Sequence, residues 1–288
     1  MSTAFQPNLW ADTTLNDMKR NLQIVQRIVN SITDYTKFVK GKEANGYTGL
    51  QIGAMKPVAL PASESDVNKP AKGTFRFAFD QHVGSPFEVN DIDNAQTNIE
   101  LLKHFTKDAY EAILDGYDEF IAKGLITGAN KKLKKSDTTG NVITKADIQA
   151  LRLELNKMRA PLRGRYLLVS PEAESQLLDI SEFISRDKIA DATAMKEGII
   201  GRVLGFDVLM SPLMPKTDTT GAINATAGSN VKDTLVAYHS LAFGFGRQLE
   251  FNAISEPKAL LPGAIVNIYS VYGGVIQEPK YAVSLRDN

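Results

Sequence analysis

The 288-residue chain carries 33 basic and 33 acidic side chains, three histidines and no cysteine. Disulfides and thiolate metal sites are excluded, and zero net charge argues against a dedicated nucleic-acid binder, though not against a shell that merely surrounds nucleic acid. Area scaling leaves about 12,000 Å² exposed out of about 46,000 Å² for the unfolded chain, enough burial for a substantial core without covalent staples.

The N-terminal stretch "MSTAFQPNLWADTT" has no basic segment followed by an apolar run, so no signal peptide is expected. No window approaches eighteen uninterrupted apolar residues. The expectation is a soluble protein made in a reducing compartment, most simply a bacterial cytoplasm.

After a polar arm holding Trp10, "LNDMKRNLQIVQRIVNSI" places Leu15, Met18, Leu22, Val25, Ile28 and Val29 at three- and four-residue intervals, with Thr13 or Thr14 as a cap. This predicts a helix over about 14–32 whose narrow apolar stripe needs a partner surface. Residues 46–86 mix short β-type runs (Leu50 to Ile52, Val58 to Leu60, Phe75 to Phe79) with a polar centre around Ser63, Glu64, Asp66, Lys69 and Pro70. Two strands closing on a flexible tip are expected, an arm long enough to project from the body.

From Asp91 the chain reads as helix for about thirty residues, roughly 45 Å at 1.5 Å each. Asp91 or Asp93 caps it, Ile99, Leu102, Phe105, Ala109, Ile113, Phe120 and Leu125 mark its apolar side, and Gly124 and Gly128 end it. Residues 129–144 read as a polar connector. The texture then turns α/β: a helix capped by Thr144, the buried strand "RYLLVS", and a helix capped by Ser170 with Pro171 in its first position. A strand pair turning at Gly205 follows, then a loose loop and the strand "TLVAYH". "RQLEFNAISEP" and "GAIVNIYSVYGGVIQEP" read as a long antiparallel ribbon, with Leu249, Phe251 and Ala253 on one face and Val266, Ile268 and Ser270 on its partner.

Chemistry is hard to find along this chain. Gly244 and Gly246 lead to Leu249 where a dinucleotide fingerprint wants glycine, and no phosphate loop or nucleophile elbow occurs. His82, His104 and His239 lie on three different elements without metal-ligand spacing. Asp91 with Asp93 suits the start of a helix, and Asp115, Asp118 and Glu119 fall on the polar side of the long helix, where no apolar pocket separates their pKa values. Asn224-Ala225-Thr226 matches a glycosylation sequon, a plain loop without secretion. The basic run Lys131, Lys132, Lys134 and Lys135 has three readings: a solvated turn, a contact to an acidic patch of a neighbouring subunit, or a contact to a polyanion.

Terminal arm, two-stranded loop, long helix and α/β lobe, in that order and without catalytic groups, resemble the major capsid proteins of tailed bacteriophages with the HK97-type fold. "FQPNLWADTTLNDMKRNLQIVQRIV" resembles their N-terminal arm, "VNDIDNAQTNIELLKHFTKDAYEAILDGYDEFI" the spine helix, and "RGRYLLVSPEAESQLL" with "GIIGRVLGFDVLMSPLMP" the lobe near the capsomer axis. "VAYHSLAFGFG" and "GAIVNIYSVYGGVIQEPKYAVSL" resemble the closing strands.

The resemblance implies an α+β chain divided into an N-terminal arm (1–45), an extended E-loop (46–86), a P-domain with the spine helix (87–144), an A-domain (145–246) and C-terminal strands returning through the P-domain (247–288). It implies a structural protein, not an enzyme, that assembles into hexamers and pentamers and then into an icosahedral or prolate head around double-stranded DNA contacted non-specifically. The implied partners are further copies of itself, a scaffolding protein, a portal and a decoration protein, with no membrane and no catalytic, cofactor or metal residue. Its place is the virion capsid, assembled in the bacterial host cytoplasm. The chain enters the N-arm almost at once, so assembly guided by a separate scaffolding protein, or failing that by none, is expected. Leu9, Trp10, Lys69, Lys72, Phe75, Phe77 and Phe79, with Lys131, Lys132, Lys134 and Lys135, are the candidate assembly residues, and no crosslink chemistry is assigned to Lys69 or Lys72. Three other readings stand beside this one: an encapsulin-type compartment shell, a soluble enzyme without a recognisable motif, and another virion component such as a decoration or tail-tube protein.

Overall fold

The computed structural model describes residues 28–39, 46–52, 72–90, 99–137, 142–180, 184–185, 201–217, 223–224, 234–257 and 263–286. The helices are α1 (Thr36–Val39), α2 (Ile99–Gly128), α3 (Lys145–Lys157) and α4 (Pro171–Leu178), with 3-10 turns at Ile28–Ser31, Ser240–Ala242 and Pro279–Tyr281. The strands run β1 (Thr33–Asp34), β2 (Gly46–Ile52), β3 (Lys72–Ala78), β4 (Gln81–Asn90), β5 (Lys131–Lys134), β6 (Arg165–Val169), β7 (Ile184–Ser185) and β8 (Gly201–Val203). They continue through β9 (Phe206–Met210), β10 (Lys216–Thr217), β11 (Ile223–Asn224), β12 (Thr234–His239), β13 (Phe243–Pro257), β14 (Gly263–Ile276) and β15 (Ala282–Arg286).

Helix α2 is a single element of 30 residues. Its buried positions, among them Thr106, Ala109, Tyr110, Ile113, Leu114, Tyr117, Ile121, Leu125 and Ile126, form a stripe two residues wide at the spacing that a 3.6-residue period dictates. Two residues of the expected stripe fall beside it. Phe105 is 44% exposed and stands against Phe87 with ring centroids 6.1 Å apart, and Phe120 is half-buried. Gly124 does not end the helix; a Cβ there would lie 2.4 Å from the ring of Phe243, so glycine lets β13 approach. The proposed caps Asp91 and Asp93 lie outside the described residues.

Two sheets flank this helix. One has four strands in the order β1-β13-β14-β4, the other seven in the order β5-β15-β12-β6-β9-β8-β7. The run "RYLLV" is apolar on both faces because its sheet is covered twice. Leu168 joins the core around α2 with Leu209, Val236 and Tyr238, whereas Leu167 and Val169 join a second core under α3 and α4. The helix starts are as expected. Thr144 and Asp147 form a reciprocal capping box, with the Asp147 carboxylate accepting the Thr144 N–H at 2.8 Å, and Ser170 Oγ accepts the Ala173 N–H at 3.2 Å. The β8–β9 turn carries positive φ at Leu204 (44°) and Gly205 (87°), the twist a tight hairpin needs.

Three expectations are corrected. The polar connector at 129–144 contains a strand, β5, paired in parallel with β15 from Lys131↔Val283 to Lys134↔Arg286. The last part of the helix expected over about 14–32 is a 3-10 turn over Ile28–Ser31, followed by β1, and residues 14–27 lie outside the described residues. Leu249 does not share a face with Phe251 and Ala253: register shifts on both sides of Leu249 turn it toward Val271 on the opposite face.

Candidate assembly interface

Between Ile28 and Tyr35 the chain is tied to four other elements. The Ile28 N–H donates to Asp118 Oδ1 at 3.0 Å, and the Ser31 hydroxyl meets the Tyr238 hydroxyl. Thr33 Oγ1 donates to the Ser240 carbonyl at 3.0 Å, and the Tyr35 N–H to that of Phe245 at 2.8 Å. Burial pushes the Tyr238 hydroxyl far above its ordinary pKa, so it stays a proton-bearing partner for Ser31. Arg247 then clamps the start of α1, reaching Asp34 at 3.0 Å, Thr36 at 3.3 Å and Glu250 at 3.3 Å. Asp118, expected on the polar side of α2, is 3% exposed: the orphan N–H of the 3-10 turn needs an acceptor inside the core.

The expected two-stranded arm has its root here. Strands β2 and β3 pair antiparallel from Gly46↔Ala78 to Ile52↔Lys72. The rings of Tyr35 and Tyr47 lie 5.0 Å apart, with Phe75 5.8 Å from Tyr35 and 6.1 Å from Tyr47. Beneath them Val39, Phe79 and Val271 form a small core of their own on the far side of the four-stranded sheet. Ring pairs of this kind contribute about 0.5–1.5 kcal/mol each beyond their buried area. At Gly273 a Cβ would sit 2.0 Å from the Ala78 carbonyl oxygen, so the root of the ribbon lies directly on β14. Strand β4 then enters the four-stranded sheet, paired with β14 from Gln81↔Tyr272 to Asn90↔Gly263.

The candidate residues divide between the chain's own packing and its surface. Phe79 is buried and Phe75 half-buried within their own chain. Phe77 sits opposite Tyr47 in the ladder and Lys72 opposite Ile52. Leu9, Trp10 and Lys69 lie outside the described residues. In the basic run, Lys131 pairs with Glu154 on α3, which also holds Lys157 at 2.8 Å, and these two lysines keep the Glu154 carboxyl below its usual range. Lys135 is buried, while Lys132 and Lys134 are exposed on an edge strand. The run is therefore not a turn. Lysines along an edge discourage stray pairing with another chain's strand.

His239 is a structural residue. Its Nδ1 accepts the Leu241 N–H at 3.1 Å, its Nε2 donates to the Arg163 carbonyl at 2.8 Å, and burial lowers its pKa. His82 is exposed on β4. Among the described residues no three carboxylate, imidazole or thiol groups come together as a metal site, and no helix is long and apolar enough to cross a membrane.

A profile of the family described as "Phage capsid protein" matches residues 87–285, which takes in α2, nearly all of the seven-stranded sheet, and β13 and β14 of the four-stranded one. The chain belongs to the phage capsid protein family. It is a structural major capsid protein, and capsid proteins of this kind self-assemble into the shell of the virion. Its fold is that of solved capsids. It shares 21% identity with a chain from Mycobacterium phage Che8 (TM-score 0.63, 91% of each chain covered). With a chain from the capsid of cyanophage P-SCSP1u it shares 17% identity (TM-score 0.67, 92% of this chain and 88% of that one). A virus-like particle from Pyrococcus furiosus has the same fold at 11% identity (TM-score 0.59, 95% and 96% covered). No curated protein matches the chain. The HK97-type fold expected from the order of elements is the fold found.

Proposed function

We propose that copies of this capsid protein close into hexamers and pentamers, and these into an icosahedral or prolate head around double-stranded DNA, without a catalytic step. The family match over residues 87–285 carries the reading. One patch meeting a different patch on the next copy closes a ring when the rotation permits. Rings of five and six from one chain require contacts that accept two angles. A scaffolding protein and a portal supply the curvature and the unique vertex, a decoration protein can add to the finished surface, and assembly runs in the host cytoplasm.

In this reading residues 1–45 are the N-arm, 46–86 the E-loop, 87–144 the P-domain, 145–246 the A-domain and 247–288 the returning strands. Leu9, Trp10, Lys69 and Lys72 are the arm residues proposed to meet a neighbour, with Phe75 and Phe77 contributing from the ribbon.

A second reading shares this fold, an encapsulin-type compartment shell that packages protein cargo; the virus-like particle from Pyrococcus furiosus has the fold too, over nearly the full length of both chains. Negative-stain electron microscopy of the purified protein, expressed alone and with its neighbouring genes, tests both. Closed particles holding nucleic acid support the phage head, particles with a co-purifying enzyme support the compartment, and a small monodisperse species in both preparations overturns assembly.

A further inference from the structure

At the start of β6 lies an open cleft of about 390 Å³ between the loop Leu162–Gly164 and the β8–β9 hairpin. Its lining is basic, with Arg163, Arg165 and Arg202 against the single carboxylate of Asp207, which Arg202 holds at 2.7 Å. Arg165 is 3% exposed. Its guanidinium donates to the Pro161 carbonyl at 2.7 Å, the Ala160 carbonyl at 2.6 Å and Asn156 Oδ1 at 2.8 Å, so it fixes the loop but has no carboxylate partner among the described residues. Arg152 adds further positive potential at Arg165. Buried charge is ordinarily compensated by an opposite one. At the rim Leu162 is 69% exposed, the most exposed large apolar side chain among the described residues.

The same lobe carries a complementary patch. Glu172, Ser175, Leu178 and Asp179 are exposed positions along one side of α4, and Leu178 is 57% exposed. Asp179 caps the C-terminus of α4, where the helix dipole disfavours an anion, and it has no cationic partner among the described residues. Each patch thus pairs one exposed leucine with a neighbouring charge, basic at Leu162-Arg163 and acidic at Leu178-Asp179. No ion pair or hydrogen bond joins the two within the chain among the described residues.

We infer that these patches are the two halves of a contact between copies: Asp179 of one subunit enters the arginine cleft of the next, and Leu178 packs on Leu162. The contact rests on the shell reading above, and its unlike halves give the heterologous geometry that ring closure requires. The loop is pre-organised by Arg165, which lowers the ordering cost of binding, and charge complementarity fixes register and suppresses wrong pairings.

Charge reversal tests this. Arg163→Glu and Asp179→Lys, made singly, are expected to raise the protein concentration at which closed particles appear by about tenfold, the equivalent of one such contact. Combined in one chain they restore it to within about threefold. Thermal melting of the unassembled subunit should not move in any of the three. Single reversals that assemble like wild type, or a double variant no better than the singles while its subunits stay folded, overturn the contact. Should a reversal unfold the subunit, Arg163→Gln and Asp179→Asn answer the same question through salt: the wild-type threshold rises with ionic strength, whereas theirs responds less, and equal responses overturn the contact. Wild-type protein run in parallel reports on the shell itself. Its failure to form particles both alone and when co-expressed with its neighbouring genes would sink the shell reading and the contact with it, whereas wild-type particles beside unaffected variants sink the contact alone.

Discussion

The Asp118 carboxylate, inside the long helix, accepts the backbone N–H of Ile28 from ninety residues earlier in the chain. With Asp118 only 3% exposed, removing its oxygens strands a buried donor. Asp118→Ala is expected to lower subunit stability by about 1–3 kcal/mol and to speed proteolysis before Ser31. Asp118→Asn, which keeps an acceptor oxygen, should cost less. Denaturant melts with limited proteolysis check both; equal losses would show that the hydrogen bond to Ile28 is not what matters.

Two glycines should respond in opposite directions. Gly273→Ala forces a Cβ against the Ala78 carbonyl oxygen, which belongs to backbone and cannot swing away. A loss of about 1–3 kcal/mol follows, as for other overpacking changes. Gly116, inside α2, meets nothing closer than the Tyr272 hydroxyl at 3.5 Å. Gly116→Ala should therefore gain about 0.5–1 kcal/mol from helix propensity and a less mobile unfolded chain. Thermal midpoints of the two variants give the signs directly.

His239 makes the subunit acid-sensitive. Burial is the chief reason that the folded state binds a proton less readily than the unfolded chain; the Arg165 charge adds to it, the Tyr281 ring lies 5.9 Å away, and Nδ1 is already accepting from Leu241. The stabilisation is complete above the unfolded pKa of about 6.5 and is lost as pH falls toward the lowered folded value. Midpoints measured from pH 7.5 to 5 should fall for wild type and fall less for His239→Gln. Parallel curves would remove the imidazole from the account.

Glu154 bridges Lys131 on β5 and Lys157 on its own helix. Both lysines are about half exposed, so screening keeps the loss in Glu154→Gln near or below about 1 kcal/mol. Its effect should be local. Amide exchange of Lys131–Lys134 is expected to rise while that of β12 stays unchanged.

Much of this architecture was legible because it is written locally. Thr144 with Asp147, and Ser170 before Pro171, announce helix starts in adjacent letters, and the long apolar period of α2 exceeds anything a loop could mimic. What was missed depends on partners far away in the chain. "KKLK" has one apolar residue and becomes a strand only because β15 offers an edge and Glu154 holds Lys131. Asp118 looks solvent-facing until the turn at Ile28 is laid on it. Leu249 keeps the alternation of its neighbours in sequence, and only the register shifts against β14 turn it over. The assembly residues were the least legible, since aromatic spacing in the ribbon does not tell a ring packed on Tyr35 from one offered to a neighbour. The cleft at Arg165 had no letter pattern at all: Arg163, Arg165 and Arg202 converge through a parallel pairing of β6 with β9.

Besides its passage along α2, the chain crosses between its two large sheets through Ser240–Ala242 and again through 277–281, and the Gln277 and Glu278 N–H groups both donate to the Ala242 carbonyl, at 2.8 and 3.2 Å. Two crossings bonded side by side, with α2 filling the angle beneath them, behave as a welded joint and not as a pin. Bending the subunit there would have to shear those bonds and open the core that holds Phe243, Phe245 and Tyr272. A wall of such units would carry internal pressure as tension within stiff plates and yield at the seams between them.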